Sequence, residues 1–453
     1  MKRLRDNGRN SSNVRRLQPG GETGIGPGRP ELLREINARQ VLRLLRQHGP
    51  CSRADLVRYS GLSAPTISSG VAYLESRRLV EPMGPGSSSG GRPPSLLRFN
   101  SRLGYVAGVD IGTSVVRVAL ADLNGSIIDR WSASTRAHST PERVAALVST
   151  GIRTLQSHHR LPAKRLLALA AGVPGITDAR AGVVLSAPIL PSGWQAVPLQ
   201  QMLETATGIP SRIENDVNLA ACGESRLGTA RGVRNFVFLT IGTGVGAGIF
   251  VDGRLYHGAD WTAGEIGYLY VPGTEETPLA LGRPGSLESI IGVRGIRSAW
   301  QRLCDPQGPH GSDGAARSDG RRALDVTEIF NLAQRGESPA RTILHQTARI
   351  LADAITNVCV ILNSSLVILG GRIGSHPALF EATRRIVEHN DFARPRLAQS
   401  ALGSEAPLHG AVGLALDAAE ERILPSSTEA SRRLASSEGS GFLPPFLGLT
   451  PPC

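Results

Sequence analysis

The sequence predicts an α/β protein with an N-terminal winged helix-turn-helix domain, residues 31–100, followed by a larger duplicated α/β domain, residues 104–424. Three observations support this fold class. Residues 31–80 have the apolar period of three short helices, with a glycine turn between the last two. From Tyr105 onward, apolar strands alternate with helical segments, and three of these strands end in glycine-rich turns. The length of 453 residues also exceeds the roughly 250 to 300 residues at which single cores stop growing.

The positive charge is concentrated at the start of the chain. The whole sequence has 50 Lys and Arg against 38 Asp and Glu, a net charge of +12. Residues 1–102 contain 18 of the basic and 7 of the acidic residues, a net charge of +11, which leaves +1 for residues 103–453. A field of this sign attracts polyanions, so double-stranded DNA is the expected partner of the N-terminal part. The alternative is a basic terminus that is merely solvated.

Three segments have the composition of flexible chain. Residues 1–30 are rich in Arg, Gly, Ser, Asn and Pro and are expected to form a disordered basic arm. We expect a flexible surface loop at 305–322 and a disordered tail at 425–453.

Cysteine usage and hydropathy indicate the compartment. The five cysteines are scattered and include no C-x-x-C pair, so they indicate neither a disulfide framework nor an all-Cys zinc site. No uninterrupted apolar run approaches the roughly 18 residues of a membrane span. We therefore expect a soluble, cytoplasmic protein that makes no membrane contact.

The helix signals of residues 31–80 follow one another in order. A first helical segment ends at a His-Gly-Pro stop. Ser52 is a suitable N-cap for a second helix over 53–59, Gly61 makes the turn, and Ser63 caps a third helix that runs to about Arg78. The third helix should bury a stripe formed by Ile67, Val71 and Leu74.

Two short strands, 79–81 and 96–99, are joined by a Gly- and Pro-rich loop at 84–94, which predicts a wing. In such a domain the third helix enters the major groove and the wing lies over the backbone or the minor groove. The expected DNA contacts are Arg53, Ser63, Ala64, Pro65, Thr66, Ser68, Ser69 and Arg92. Two half-sites one DNA turn apart need two such helices, which predicts a homodimer or a higher homo-oligomer. The alternative is a small helical scaffold that binds no DNA.

The glycine-rich turns of the larger domain have the composition of phosphate-binding loops. Such a loop combines backbone N–H groups for phosphate with an aspartate that can hold magnesium. The candidate residues are Asp110, Gly112 and Thr113 in the first loop and Gly242, Thr243, Gly244 and Gly246 in the second. A third strand ends at Gly370 and Gly371. Each loop taken alone is more often a tight hairpin than a nucleotide site.

Several sequence blocks carry a resemblance to a known family. These are Gly172–Gly175, Glu214–Asn218, Gly242–Gly248, Ala263–Gly267 and Leu369–Gly371. With the winged-helix pattern, they resemble the ROK family of repressors, open reading frames and sugar kinases, over about residues 31–424. The resemblance implies an actin/hexokinase-like, ribonuclease H-like fold for the larger domain.

The resemblance also implies a sugar site. By position it would be lined by Asn215, Asp216, Glu265, Tyr268 and Glu288. In the family's kinases the aspartate that matches Asp216 is the general base toward the attacking sugar hydroxyl. From the residues alone, an Asn-Asp pair after an apolar strand is also an ordinary turn or helix cap.

Departures from the family pattern argue against a kinase. Tyr268 stands where the family has a histidine, and the segment 271–286, in place of a cysteine-rich zinc loop, contains no Cys or His. We therefore expect no metal and no cofactor. Thr113 adds a side chain at a position where a phosphate loop needs glycine for close approach of the backbone to phosphate, so ATP binding is not expected.

The resemblance and these departures together imply a DNA-binding transcriptional regulator, a repressor, of carbohydrate-related genes. Its larger domain would bind a sugar or sugar derivative as a small-molecule effector without phosphorylating it. The first alternative is an ATP-dependent, glucokinase-like sugar kinase with an appended DNA-binding domain. The second keeps DNA binding but makes the larger domain a ligand-free platform for dimerisation.

Overall fold

The computed structural model describes residues 30–85, 94–135, 140–190, 193–272, 274, 283–304, 324–392 and 394–424. The arm before Pro30, the loop at 305–322, the tail at 425–453 and the wing residue Arg92 lie outside these described residues. Pro30, assigned to the arm from sequence, is the first residue of a helix. Among the described helices, none has both the length and the apolar character needed to cross a bilayer.

The N-terminal domain is a winged helix-turn-helix, as predicted. Its elements are α1 (Pro30–His48), β1 (Cys51–Ser52), α2 (Arg53–Ser60), α3 (Ala64–Ser76), β2 (Val80–Pro85) and β3 (Ser95–Phe99). Ser52 and Asp55 form a reciprocal capping box at the start of α2, and the hydroxyl of Ser63 accepts from the N–H of Thr66 at the start of α3. The helix α3 ends two residues before Arg78.

A three-stranded sheet closes this domain. The strand β3 pairs antiparallel with both β2 and β1, and the two-residue strand β1 was not predicted. The predicted stripe of Ile67, Val71 and Leu74 is fully buried in the core of the domain.

The larger domain consists of two lobes and a final helix. Lobe I contains β4 (Tyr105–Ile111), β5 (Val115–Asp122), β6 (Ile127–Ser134), α4 (Pro141–His158), β7 (Leu166–Val173), β8 (Ile176–Asp178), β9 (Val183–Ser186), β10 (Gln195–Val197), α5 (Leu199–Thr207), β11 (Ser211–Asn215) and α6 (Asp216–Leu227). Lobe II contains β12 (Phe236–Ile241), β13 (Val245–Val251), β14 (Arg254–Leu255), α7 (Ser286–Ile291), α8 (Val293–Cys304), α9 (Val326–Gln334), α10 (Ser338–Leu362), β15 (Leu366–Gly370), α11 (Gly371–Gly374), α12 (Pro377–Glu388) and β16 (Arg396–Gln399). The final helix is α13 (Ala406–Ile423).

The two lobes have the same sheet topology. Lobe I has the strand order β6-β5-β4-β7-β11, and lobe II has the order β14-β13-β12-β15-β16. In each lobe the first three strands form an antiparallel meander and the last two are added in parallel. This repeat confirms the predicted duplicated α/β fold.

Helices cover both faces of each sheet and place α6 between the lobes. In lobe I, α4 and α5 pack on one face and α13 packs on the other. In lobe II, α10 packs on one face, and on the other Ala220 and Ala221 of α6 pack against Phe236 and Phe238. The helix α6 therefore contacts α13 on one side and the sheet of lobe II on the other. Its first residue, Asp216, lies at the carboxyl end of β11, where ligands of open α/β sheets bind.

Candidate ligand cleft and DNA-facing helix

Asn215 connects the end of β11 to the start of α6. Its side-chain oxygen accepts hydrogen bonds from the N–H groups of Val217 (2.9 Å) and Asn218 (3.0 Å), so it is the N-cap of the helix. Its side-chain nitrogen donates to the carbonyl of Gly175 (3.0 Å). The helix-cap interpretation of the Asn-Asp pair is therefore correct for Asn215, which leaves one amide N–H for a ligand.

Asp216 is half-buried, and one of its carboxylate oxygens accepts from the N–H of Val217 (3.0 Å). Burial raises the pKa of this carboxyl to about 7, and the negative charges of Asp110 and Glu265 add to the shift. Asp110 stands opposite Gly172 in the pairing of β4 with β7, and a Cβ built at Gly172 would lie 3.5 Å from the Cα of Asp216, so the fold brings Asp110 and Asp216 close together from separate blocks of sequence.

Glu265 enters the cleft from lobe II. Burial and the neighbouring Glu288 raise its pKa to about 7. The preceding residue, Gly264, has a φ of +92°, and a Cβ built there would lie 1.9 Å from the carbonyl oxygen of Ala247. Only glycine fits at this position. The close contact of Gly264 with Ala247 holds the turn before Glu265 against β13.

Glu288 lies against the second glycine-rich loop. One of its carboxylate oxygens accepts from the N–H of Val245 (3.0 Å), and burial is the main cause of its raised pKa. Within the loop, the N–H of Gly242 donates to the carbonyl of Gly244 (3.0 Å). Both N–H groups are thus already paired, and a carboxylate stands beside the loop.

The first glycine-rich loop forms a closed hairpin turn. The N–H of Gly112 donates to the carbonyl of Val115 (2.9 Å), and Thr113 is exposed. Asp110 is buried and paired with Arg117, whose Nη2 and Nε donate to the same carboxylate oxygen at 2.6 and 2.9 Å. Burial nevertheless raises the pKa of Asp110, while Arg117 opposes the shift.

Arg117 and His257 were not predicted from the sequence as residues of the site. Arg117 stands directly opposite Asp110 in the pairing of β4 with β5, so the register of the hairpin could have identified it. His257 donates or accepts through Nε2 to the buried carboxylate of Glu214 (2.8 Å), which raises the histidine pKa, and its ring contacts Trp261 edge-on at 4.9 Å. No local pattern marks His257 as a partner of Glu214.

A narrow cleft lies between the start of α6 and the sheet of lobe II. It is lined by Asn215, Val217, Asn218, Gly246, Ala247, Trp261, Ala263, Gly264 and Glu265. Its volume of ≈ 20 Å³ has room for about one water molecule. Of the predicted ligand residues, Asn215 and Glu265 line this cleft, and Asp216, Tyr268 and Glu288 do not. Tyr268 donates its N–H to the carbonyl of Glu265 (3.1 Å) in the adjoining turn.

In the part of the chain that the structure describes, no group of three or more His, Cys, Asp or Glu side chains is arranged to hold a metal ion. Residues 273 and 275–282 of the segment that replaces the zinc loop lie outside that part. The absence of a metal and of a cofactor stays a prediction.

The start of α3 is presented to solvent. Ser63, Ala64, Pro65, Ser68 and Ser69 are exposed and Thr66 is half-buried. Arg53, at the start of α2, is exposed and paired with Glu75 of α3 (3.3 Å). The structure therefore places all the predicted helix residues on one accessible surface, while their contact with DNA stays a prediction.

The fold and the cleft define the class: a sugar-kinase-like duplicated α/β protein that carries an N-terminal winged helix-turn-helix domain.

Comparisons with known proteins agree with this class. The ROK family model matches residues 106–418, and the MarR family model matches residues 35–86. The chain therefore belongs to the ROK family.

Similar proteins include repressors and kinases. The xylose repressor of Caldicellulosiruptor bescii is 28% identical over 81% of this chain and 90% of its own length. The glucokinase of Halalkalibacterium halodurans is 30% identical over 68% of this chain and 93% of its own length. A crystal structure of a ROK family transcriptional regulator, a homologue of the E. coli MLC protein, superposes with a TM-score of 0.69 and 24% identity over 87% of this chain and 98% of that one. This last match supports the fold.

Proposed function

We propose that the protein is a transcriptional repressor of carbohydrate-related genes, which binds operator DNA through the start of α3 and the wing. A sugar or sugar derivative in the cleft would weaken this binding. Relatives named xylose repressor in Caldicellulosiruptor bescii and Bacillus subtilis span both domains of the chain, which supports the proposal.

One observation carries the DNA-binding part. The surface at the start of α3 is built from short side chains, and it belongs to the only part of the chain with a large positive charge. Small side chains allow close approach to base edges and to thymine methyl groups, while arginines contact phosphate. The exposed hydroxyls of Ser68 and Ser69 fit the first role.

The charge of the cleft indicates the class of effector. Glu265 lines the cleft, and Asp216 follows the cleft residue Asn215. Burial raises the pKa of both carboxyls and of the neighbouring Asp110 and Glu288, and mutual repulsion adds to the shifts of Asp216 and Glu265. A negatively charged ligand would meet further repulsion there, whereas the hydroxyls of a neutral sugar can donate to carboxylates. We infer that the effector is a neutral sugar, with xylose the first to test.

The size of the cleft indicates how the effector acts. A volume that holds about one water cannot admit a sugar, so binding requires the lobes to separate around α6. The effector would therefore select a more open arrangement of the chain, and its influence on DNA affinity cannot exceed its preference for that arrangement over the closed one. The opening is a population shift, and no phosphoryl transfer is needed.

A sugar kinase is the second candidate, because an Asp216 pKa of about 7 suits a general base. The pairing of Asp110 with Arg117 and the closed turn at Gly112 speak against nucleotide binding. We propose that the protein is not a kinase and needs no metal. An assay of ADP release with ATP, Mg²⁺ and a panel of hexoses and pentoses decides: turnover that is lost in Asp216→Asn would establish the kinase instead.

The DNA-binding test uses fluorescence anisotropy of a duplex from the protein's own promoter region. We expect affinity at least tenfold above that for a shuffled duplex, decreasing steeply with salt as counterions are released. Equal affinity for both duplexes would refute sequence-specific binding. Sedimentation with the duplex then tests the predicted dimer through its stoichiometry.

The effector test adds neutral sugars, beginning with xylose, to the bound duplex. We expect release of DNA by one sugar and no release in Asp216→Asn, whereas Asp260→Asn, on an exposed part of a nearby loop, behaves as the wild type. The same sugar should raise the melting temperature, because it binds only the folded state. If no sugar changes either quantity, the larger domain is a ligand-free platform.

A further inference from the structure

The last helix, α13, completes the core of the N-terminal domain. Leu424, which follows α13, is 2% exposed and is buried among the core side chains of the winged helix, with Ile423 packed beside it. Arg39 of α1 donates to the carbonyl of Leu424. The end of the larger domain is therefore part of the DNA-binding domain.

A charged contact reinforces this attachment. Nη1 of Arg46, on α1, lies 2.5 Å from a carboxylate oxygen of Glu420 on α13. The guanidinium of Arg46 also stacks over the ring of Phe99, 4.6 Å from its centroid. Both side chains of the ion pair are about two-thirds or more buried, so the contact is shielded from water more than a surface pair is.

The other end of α13 is held at the cleft. Arg117, which is paired with Asp110, also donates through Nη1 to the carboxylate of Glu405 (2.8 Å) and through Nη2 to the carbonyl of Ser404 (2.6 Å). Glu405 immediately precedes α13. Asp110 stands opposite Gly172 in the pairing of β4 with β7, and a Cβ built at Gly172 would lie 3.5 Å from the Cα of Asp216. Arg117 therefore connects the strands beside Asp216 to the start of α13.

The middle of α13 packs on α6 without intervening side chains. A Cβ built at Gly410 of α13 would lie 1.8 Å from the carbonyl oxygen of Leu219, and one built at Gly223 of α6 would lie 2.4 Å from the carbonyl oxygen of Ala406. Backbones this close move together, because close-packed contacts transmit displacement with little compression. Since α6 begins at Asn215 and Asp216, a shift of these residues must displace α13.

We propose that α13 transmits changes in the cleft to the winged helix, and that Arg117 is the positioning residue that connects the cleft to this helix. The proposal rests on the proposed function for its biological meaning. It predicts a coupling free energy between Arg117, in lobe I, and the ion pair of Glu420 with Arg46. Such coupling is measurable with no effector present.

A double-mutant cycle on DNA affinity tests the coupling. The variants are Arg117→Met, Glu420→Gln and both together, measured with the promoter duplex. Distant substitutions without a shared element are additive within about twofold in Kd. We expect a departure from additivity of at least threefold, because Glu420→Gln weakens the attachment of α13 through which Arg117→Met acts on the winged helix.

Two controls separate coupling from a general loss of structure. The cycle of Arg117→Met with Glu388→Gln, an exposed glutamate at the end of α12, should be additive. Arg117→Lys keeps the positive charge and serves if Arg117→Met does not melt cooperatively. Additivity within twofold in the Glu420 cycle would overturn the proposal.

A second measurement does not depend on DNA binding, so its failure is separable from failure of the proposed function. Amide hydrogen exchange of residues 39–48, in α1, is compared between wild type, Arg117→Met and Arg153→Met, which removes an exposed charge from α4. We expect at least threefold faster exchange in Arg117→Met alone. Exchange unchanged in residues 39–48 overturns the proposal even if the protein is a sugar-responsive repressor.

Discussion

Asp216→Asn should stabilise the two lobes at alkaline pH and leave their stability unchanged near pH 4. The pKa of Asp216 rises in the folded chain from an ordinary value of 3.8 to about 7. Between these values the folded state holds a proton that the unfolded state has lost, so stability declines as pH rises from about 4 to 7. Above pH 7 the carboxylate is ionised in both states and the loss is complete. Because asparagine cannot ionise, the variant does not lose this stability as the pH rises.

The expected magnitude follows from the pKa difference. At about 1.4 kcal/mol for each pH unit, the difference between 3.8 and about 7 corresponds to about 4 kcal/mol. Partial exposure of Asp216 to water reduces this figure to about 2 to 3 kcal/mol. Asparagine keeps an oxygen that can accept from the N–H of Val217, and the N-cap of α6, Asn215, is not changed by the substitution.

Tryptophan fluorescence during urea unfolding measures this difference. All four tryptophans, Trp131, Trp194, Trp261 and Trp300, lie in the two lobes and none lies in the winged helix. Wild type, Asp216→Asn and the exposed control Asp260→Asn are unfolded at pH 4.5 and at pH 8. A variant no more stable than wild type at pH 8, or stabilised equally at both pH values, would refute the electrostatic account of Asp216.

Three further predictions concern the DNA-facing helix, the cleft and the end of the chain. Ser68→Glu should weaken binding to the promoter duplex at least tenfold by anisotropy, whereas Ser76→Glu, at the far end of α3, should not; equal losses would move the DNA surface elsewhere. Gly264→Ala should remove the sugar-induced thermal shift and lower the melting temperature, because its Cβ would collide with Ala247; an unchanged shift contradicts the role of this turn. Leu424→Ala should destabilise the winged helix by about 2 to 5 kcal/mol, read from exchange of its core amides, and unaltered exchange would show that Leu424 is dispensable there.

The winged helix was predicted closely because its signals are local. The capping residues Ser52 and Ser63 and the turn at Gly61 each act within one turn of helix, so sequence spacing determines them. The strand β1 was missed because it has only two residues, Cys51 and Ser52, and their partners in β3 lie more than 40 residues later.

The cleft was predicted less completely. Asn215, Asp216 and Glu265 follow strands or tight turns, so the resemblance to the family could place them. Arg117 and His257 act through partners on other strands or loops, and only the register or the tertiary fold brings these pairs together.

The attachment of α13 to the winged helix had no sequence signal. Leu424 lies at the boundary drawn between the larger domain and the tail, and its apolar side chain is typical of any helix end. Long-range burial of this kind depends on where the whole larger domain returns its last helix, which local spacing does not encode.

Burial of Leu424 in the winged helix has a consequence for biosynthesis. The chain emerges from the ribosome N-terminus first, at about 5 to 20 residues per second, and domains fold as they emerge. The winged helix is made early, but a core residue and the ion-pair partner of Arg46 are made more than 300 residues later. The core of the winged helix is therefore completed only after both lobes have been synthesised.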